Sequence, residues 1–236
     1  MGYLGYKPAD KPLTSADITD SVITSAKITD GTIALADLSA TGTKDATTFL
    51  RGDNSFATPA AGAFVFLAET SASNVSSVDL NGYFTSTYDV YKVFIDGIYG
   101  SAAAQTLLRF ATTGSYTVQT TSYYAQSQYA YGDGTTFLSN ESQNWNGNGF
   151  NITPNISTTS ANTSSVELSI YNPMSSTNQV TVTGNHTTAV GNYSWIGTGT
   201  CGGRWNSTTP VTGIRFLMAS GNIYARKIRL YGVKNS

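Results

Sequence analysis

The sequence predicts an all-β chain in which a repetitive N-terminal segment leads into a C-terminal antiparallel β-sandwich. Three observations carry this. Leu13, Ile18, Ile23, Ile28, Ile33 and Leu38 put a large apolar residue at every fifth position. Only 11% of the residues are charged, against about 25% in an average globular chain, while Tyr numbers 15 and Ser, Thr, Asn and Gly abound. Short alternating segments separated by turn residues then fill the rest, with no sustained helical period.

The spacing of five fits neither ordinary element. On a helix each step of five rotates the side chain by roughly 140°, so no single stripe forms. In a flat strand alternate members would face opposite ways. A short extended piece plus a turn, repeated, aims every fifth side chain at one axis. A longer repeat of ten lies beneath it, since Thr14–Ile23 (TSADITDSVI) and Thr24–Ile33 (TSAKITDGTI) agree at seven of ten positions. So few apolar side chains do not offset the ordering entropy of a single chain, roughly 1–2 kcal/mol per residue. The expectation is therefore an intertwined, multi-chain β-structured stalk over residues 13–39. A disordered Thr/Ser/Ala linker is the alternative, but a linker has no reason to keep register.

Residues 1–12, ahead of the stalk, are too few to fold alone and read as an arm that docks on another protein through Tyr3, Leu4 and Tyr6. Residues 40–62 read as a neck: Thr47–Leu50 as a short strand, Arg51–Asn54 as a turn, and Ser55–Pro59 as an exit into an Ala/Gly linker. Residues 63–236 form the expected sandwich, jelly-roll-like in type. Its clearest strands are Phe64–Leu67, Val90–Tyr99, Thr106–Phe110, Ser165–Tyr171, Gln179–Thr183, Gly213–Met218 and Lys227–Val233. Val166, Leu168 and Ile170 share one face there, as do Ile228, Leu230 and Gly232. Asn81-Gly82, Tyr99-Gly100, Asn172-Pro173 and Ser220-Gly221-Asn222 are the turn signals.

Between Thr112 and Ser164 the chain turns polar, Gly-rich and aromatic, which reads mainly as long loops on a rigid scaffold. Flat rings beside amide side chains suit sugars, which offer an apolar face and a hydroxyl rim. Tyr124, Tyr129, Tyr131, Trp145 and Phe150 are the receptor-contact candidates, with core or subunit packing the competing role for each. Trp145 leads them, because its surroundings are too polar and Gly-rich for a core strand.

Composition also excludes. Net charge is −1 and no Lys or Arg occurs from Ala111 to Gly203, so phosphate-backbone binding lacks its footing and nucleic acid is not an expected partner. No apolar run approaches a membrane span, and no secretory leader is evident, so insertion into a membrane is not expected. Cys201, the sole cysteine, reads as a buried thiol. His186, the sole histidine, reads as a surface residue in a turn, which leaves no multi-histidine metal site. No motif pairs two of the scattered carboxylates, and no phosphate or dinucleotide loop occurs. Neither an enzyme nor a cofactor is expected.

The residues also carry a resemblance. Met1-Gly2-Tyr3-Leu4-Gly5-Tyr6-Lys7-Pro8-Ala9, the Ile-Thr-Asp-Gly-Thr-Ile wording of the stalk, and Thr48-Phe49-Leu50-Arg51-Gly52-Asp53-Asn54-Ser55-Phe56-Ala57-Thr58-Pro59 are similar to parts of bacteriophage tail fibres, of the kind seen in cyanophages and other aquatic phages. The last motif usually has Gly at the place of Asn54. Glu167–Pro173, Gly213–Leu217 and Lys227–Val233 resemble strands of fibre-tip domains. The resemblance implies a homotrimeric virion structural protein, assembled in a bacterial host's cytoplasm. Its arm would be anchored on another virion protein, in the tail, collar, baseplate or capsid, and its tip would adsorb to a host-surface glycan or protein. A purely structural part, such as a head fibre, collar or baseplate adaptor, is the alternative. A polysaccharide-cleaving spike is weaker for want of paired carboxylates.

Overall fold

The computed structural model describes residues 14, 16, 18–21, 23–34, 37, 39–59, 62–112, 116–132, 137–190 and 195–235, with only the strand path for 137–146. The expected arm residues Tyr3, Leu4 and Tyr6 and the stalk residues Leu13 and Leu38 lie outside these. Two compact units result, Met1–Ala60 and Ala61–Ser236.

In the first unit the described residues between 14 and 40 contain no strand within the single chain, whereas the expected stalk is an assembly of several chains. A 3-10 turn spans Ser25–Lys27, and Ala16 and Asp37 share that geometry about ten residues to either side. Between these lie turns at Asp20-Ser21 and Asp30-Gly31, where Ser21 (φ 65°) and Gly31 (φ 79°) adopt left-handed backbone. The sequence repeat of ten is thus a backbone repeat. Local bonds close each unit: Lys27 N–H to Thr24 O (2.9 Å), Thr32 N–H to Thr29 O (3.1 Å) and Asp37 N–H to Ala34 O (2.9 Å). Asp37 returns the favour by accepting from the Ala34 N–H at 2.7 Å. Ser, Thr and Asp offer the backbone such local partners and so favour turns over strands.

The residues read as a neck hold a short hairpin: the first strand is shorter than expected, and Ser55–Pro59, expected as an exit, supplies a second strand. Strands β1 (Phe49–Leu50) and β2 (Phe56–Ala57) pair antiparallel around a turn at Arg51–Asn54. Asn54 has φ 60°, the conformation that glycine adopts most easily, and Asn is the next best residue there. Asp53 Oδ1 accepts from both the Ser55 N–H and Oγ–H, holding the turn closed.

The second unit is all-β. Its strands are β3 (Phe64–Val75), β4 (Ser77–Asn81), β5 (Val90–Gly100), β6 (Thr106–Thr112), β7 (Thr117–Val118), β8 (Tyr123–Gly132), β9 (Phe137–Gly147), β10 (Phe150–Asn151), β11 (Ser164–Tyr171), β12 (Thr181–Val190), β13 (Trp195–Trp205), β14 (Val211–Met218) and β15 (Ile223–Val233). They make two antiparallel sheets. The larger runs β3-β15-β5-β11-β12-β13-β8-β9, and the smaller runs β10-β6-β14-β4 with β7 beside β6. One buried cluster joins them: Val78, Leu80, Leu108, Phe110, Phe150, Ile214 and Phe216 from the smaller, Tyr91, Val93, Ile95, Leu168, Ile170, Ile228 and Leu230 from the larger. This is the packing of a β-sandwich, with strands such as β5 and β15 burying alternate residues along most of their length.

The densest part of that core is aromatic. Tyr123 lies 5.0 Å from Phe150, 6.1 Å from Phe110 and 6.4 Å from Trp205, centroid to centroid. Its hydroxyl accepts from the Phe110 N–H (2.7 Å) and donates to Gln119 O (3.1 Å), so the phenol is satisfied within the core. Trp205 Nε1 donates to Thr121 O at 3.2 Å.

Loops make up only part of the aromatic-rich region. Its centre is the β8–β9 hairpin, with Tyr123 to Gly132 paired against Gly147 to Phe137. Trp145, expected in a loop, stands on β9 in register with Tyr124. Strand alternation buries rings on one face, which is why a polar, Gly-rich segment still forms sheet. Strand β13 shows the same logic. A Cβ on Gly203 would collide with the Tyr124 carbonyl oxygen and reach Phe150 Cε1 at 3.0 Å. The space that a side chain would fill on β13 is already occupied by its neighbours' rings. Gly203→Ala should therefore lower stability by about 1–3 kcal/mol, the usual cost of overpacking. Urea unfolding checks this, and an unchanged midpoint would mean that β13 and β8 do not approach so closely.

Candidate functional site

Alternation sorts the candidate aromatics. Phe150 is 2% exposed and packs on Phe110 and Tyr123. It is core, which corrects its assignment to receptor contact. Tyr129 and Tyr131 are half-buried and share a face with Tyr123. Tyr131 meets Trp195 at 5.3 Å and Tyr129 at 5.6 Å, and Tyr129 lies 6.3 Å from the His186 ring. Both rings thus spend much of their area on packing. Among the candidates whose side chains are described, Tyr124 takes the opposite face, with the Arg204 guanidinium 5.6 Å from its ring centroid.

His186 is not a surface residue. It is 3% exposed on β12, where Nδ1 lies 2.8 Å from Thr188 Oγ1 and Nε2 has no hydrogen-bond partner. Its register neighbour on β13 is Gly199, which lacks a side chain and leaves the ring its room. Ser127 Oγ, also buried, is likewise without a partner. Burial pushes the His186 pKa down to about 4 from 6.5, because a protonated ring would bury a charge and an unpaired N–H. Cys201 is buried and free, as read, and burial pushes its thiol up to about 12, so the reactive thiolate is scarce near neutrality.

The outward face of the larger sheet can be read in rows across its strands. Phe66, Tyr231, Lys92, Ser169, Thr183, Gly202 and Gln126 form one row, from β3 to β8. Glu69, Arg229, Phe94, Glu167, Asn185, Thr200 and Gln128 form the next. At the β15–β5 end the charges neutralise one another. Arg229 Nε meets Glu69 Oε2 at 2.8 Å and Lys92 Nζ meets Glu167 Oε1 at 2.6 Å. Hydrogen bonds from Arg229, then Lys227, hold the Glu69 carboxyl below its usual range. Towards β8 the face is mainly hydroxyl and amide, with the Arg204 cation beside Tyr124 at its end.

Three depressions lie on this face. One of about 680 Å³ is lined by Tyr124, Gln126, Gln128, Thr181, Thr200 and Arg204 among others. A second of about 680 Å³ includes Phe94, Asp96, Glu167, Asn185, Thr198 and Thr200. The third, of about 280 Å³, lies between Lys92, Glu167, Thr183, Asn185 and Thr200. Thr200 lines all three, so they adjoin, and taken together they make a shallow groove across β5, β11, β12, β13 and β8. Among the described residues no three His, Cys, Asp or Glu side chains converge where they could hold a metal ion.

Sequence reasoning missed the Thr and Gln lining. Its signal is the alternation Thr181-Val-Thr183-Gly-Asn185-His-Thr187, in which every second residue is a small hydrogen-bonding one. The buried half of that alternation carries the pH response. The neutral His186 ring contributes stability above pH 6.5 that is lost as pH falls toward 4, because the unfolded chain takes up the proton first. The loss should amount to about 3 kcal/mol over that window. Thermal unfolding of wild type and His186→Leu from pH 7 to 4 measures it. Parallel curves for the two would remove His186 as the source.

No protein-family model, curated protein sequence or solved structure matches this chain, so the fold and the groove rest on its own residues.

Proposed function

We propose that the chain is a bacteriophage fibre subunit that assembles as a homotrimer and adsorbs to a host-surface glycan or protein through its sandwich. One observation carries this reading. Ile18, Ile23, Ile28 and Ile33 are 45%, 55%, 39% and 58% exposed in the single chain, at strict five-residue spacing. Each such side chain gains about 1.5–3 kcal/mol on full burial. Regularly spaced apolar side chains on a repeating backbone of turns are what other copies of the same segment would cover.

Two further features support it. Phe64 and Phe66, 55% and 58% exposed, open β3, the free edge of the larger sheet and the first strand after the neck. An exposed aromatic edge is a liability unless a partner covers it. The strand order supports a jelly roll: β3-β15-β5-β11 and β4-β14-β6-β10 are the two four-strand sheets of that fold, with β8–β9 and β12–β13 added to one of them. Such sandwiches occur in capsid and lectin domains. In this reading residues 1–12 seat the fibre on another virion protein, and many weak tips act together by avidity.

Sedimentation should give a trimer at micromolar concentration. Replacing Ile23 and Ile28 together by Asp should leave folded monomers, because three copies would bring six charges to one apolar axis. A wild-type monomer under those conditions overturns the trimer. Antibodies to the recombinant protein should decorate particles of the virus that encodes it, and the protein should compete with those particles for adsorption. Decoration without competition would point to a structural fibre instead, and no decoration would overturn the virion assignment.

A further inference from the structure

We infer that the groove across the outward face of the larger sheet is the adhesive surface of the tip, and that its ligand is an uncharged polysaccharide chain. This rests on the adsorption reading above and gives it a site distinct from the aromatic hairpin face. Length comes first. The groove spans five neighbouring strands, hence four strand spacings of about 4.8 Å each, or about 19 Å in all. That is the reach of an oligosaccharide lying across the strands rather than of a single sugar.

Chemistry selects the class. Gln126, Gln128, Thr181, Thr183, Asn185, Thr198 and Thr200 offer hydroxyl and amide groups, which donate and accept as sugar hydroxyls require. They alternate along their strands and lie in register across them, so the donors and acceptors form a lattice with the strands' own spacings. Gly202, between Thr183 and Gln126 in its row, deepens the floor by having no side chain. Tyr124 supplies a flat ring at the β8 end, steadied by Arg204. Phe94 supplies another on β5. Aromatic platforms at the ends and polar groups between them suit the apolar faces and hydroxyl rims of sugar rings.

Charge selects further. The Lys92–Glu167 contact of 2.6 Å sets a cation and an anion side by side in the groove wall. A polyanion would have to pull Lys92 from its carboxylate, and a polycation would have to pull Glu167 from its ammonium. Arg204, the cation at the other end of the lining, stands over the Tyr124 ring, and an uncharged chain disturbs none of these contacts.

The test is binding of the full-length assembled protein to an array of uncharged and anionic bacterial surface oligosaccharides, followed by titration of the tightest hit. An uncharged oligosaccharide longer than a disaccharide should bind. Tyr124→Ala and Gln126→Ala should each weaken it by about ten-fold or more, and Thr200→Arg, at the meeting point of the three depressions, should abolish it. The melting temperature and sedimentation of Gln126→Ala should match wild type, which separates loss of contact from loss of fold. Selective binding of anionic sugars, binding indifferent to all three substitutions, or no sugar bound at all would overturn the groove assignment. Competition for adsorption keeps the two claims separate. Protein that competes yet binds no sugar leaves adhesion standing with a protein receptor. Protein that binds sugar through these residues yet does not compete retains the groove and overturns adhesion.

Discussion

The fold depends on one side chain that belongs to both sheets. Tyr123 sits on β8 of the larger sheet, yet its hydroxyl takes the N–H of Phe110 on β6 of the smaller one. Its ring meets Phe110, Phe150 and Trp205, so two strands from each sheet converge on it. Each such ring pair contributes about 0.5–1.5 kcal/mol beyond the area it buries. Burial also raises the phenol's pKa, which keeps it neutral and able both to donate and to accept. The glycine at 203 follows from the same crowding, since Phe150 and the β8 backbone leave no room for a Cβ. Trp205 then closes the cluster, tied to the chain ahead of β8 through Thr121 O.

What the sequence revealed depended on where each strand keeps its bulk. β5, β11 and β15 carry their own apolar residues on the buried face, as in Val166, Leu168 and Ile170, and they were legible. β13 does the reverse: Gly197, Gly199 and Gly203 occupy its inward positions while neighbouring strands supply the rings. No hydrophobic alternation remains for a reader to find. His186 misled for a related reason. Asn185-His186-Thr187 looks like a turn, but long-range pairing makes it the middle of β12 and sets His186 on the buried face opposite Gly199. The period of five was legible from Leu13 to Leu38, but the backbone of turns that its described residues adopt was not. Local bonds from Ser, Thr and Asp compete with strand pairing, and within one chain they win.

The groove was invisible to a search for conspicuous residues because it has almost none. A site for charged substrate announces itself through unpaired carboxylates or basic clusters, and here Glu69, Asp79 and Glu167 each lie against a cation. The informative unit is the register, which sets Thr183 beside Gly202 and Asn185 beside Thr200. Register is fixed by long-range pairing and cannot be read from one strand. The sole exposed hint was an uncharged composition, and that describes the whole chain.

The two faces of the larger sheet place opposite demands on the same strands. The inward face of β12 must fit Val182, His186 and Thr188 into a closed space, while its outward face presents Thr181, Thr183, Asn185 and Thr187 to solvent. Strict alternation lets one face change without disturbing the other, because successive side chains never share a surface. The added hairpin β8–β9 and the strands β12 and β13 widen this sheet to eight strands while the smaller sheet keeps four on its main path. The widening brings Tyr123, Val182 and Trp205 to the shared core and at the same time extends the outward face. The asymmetry therefore serves both faces: the added strands complete the aromatic cluster within, and their outward residues lengthen the surface over which an extended ligand would lie.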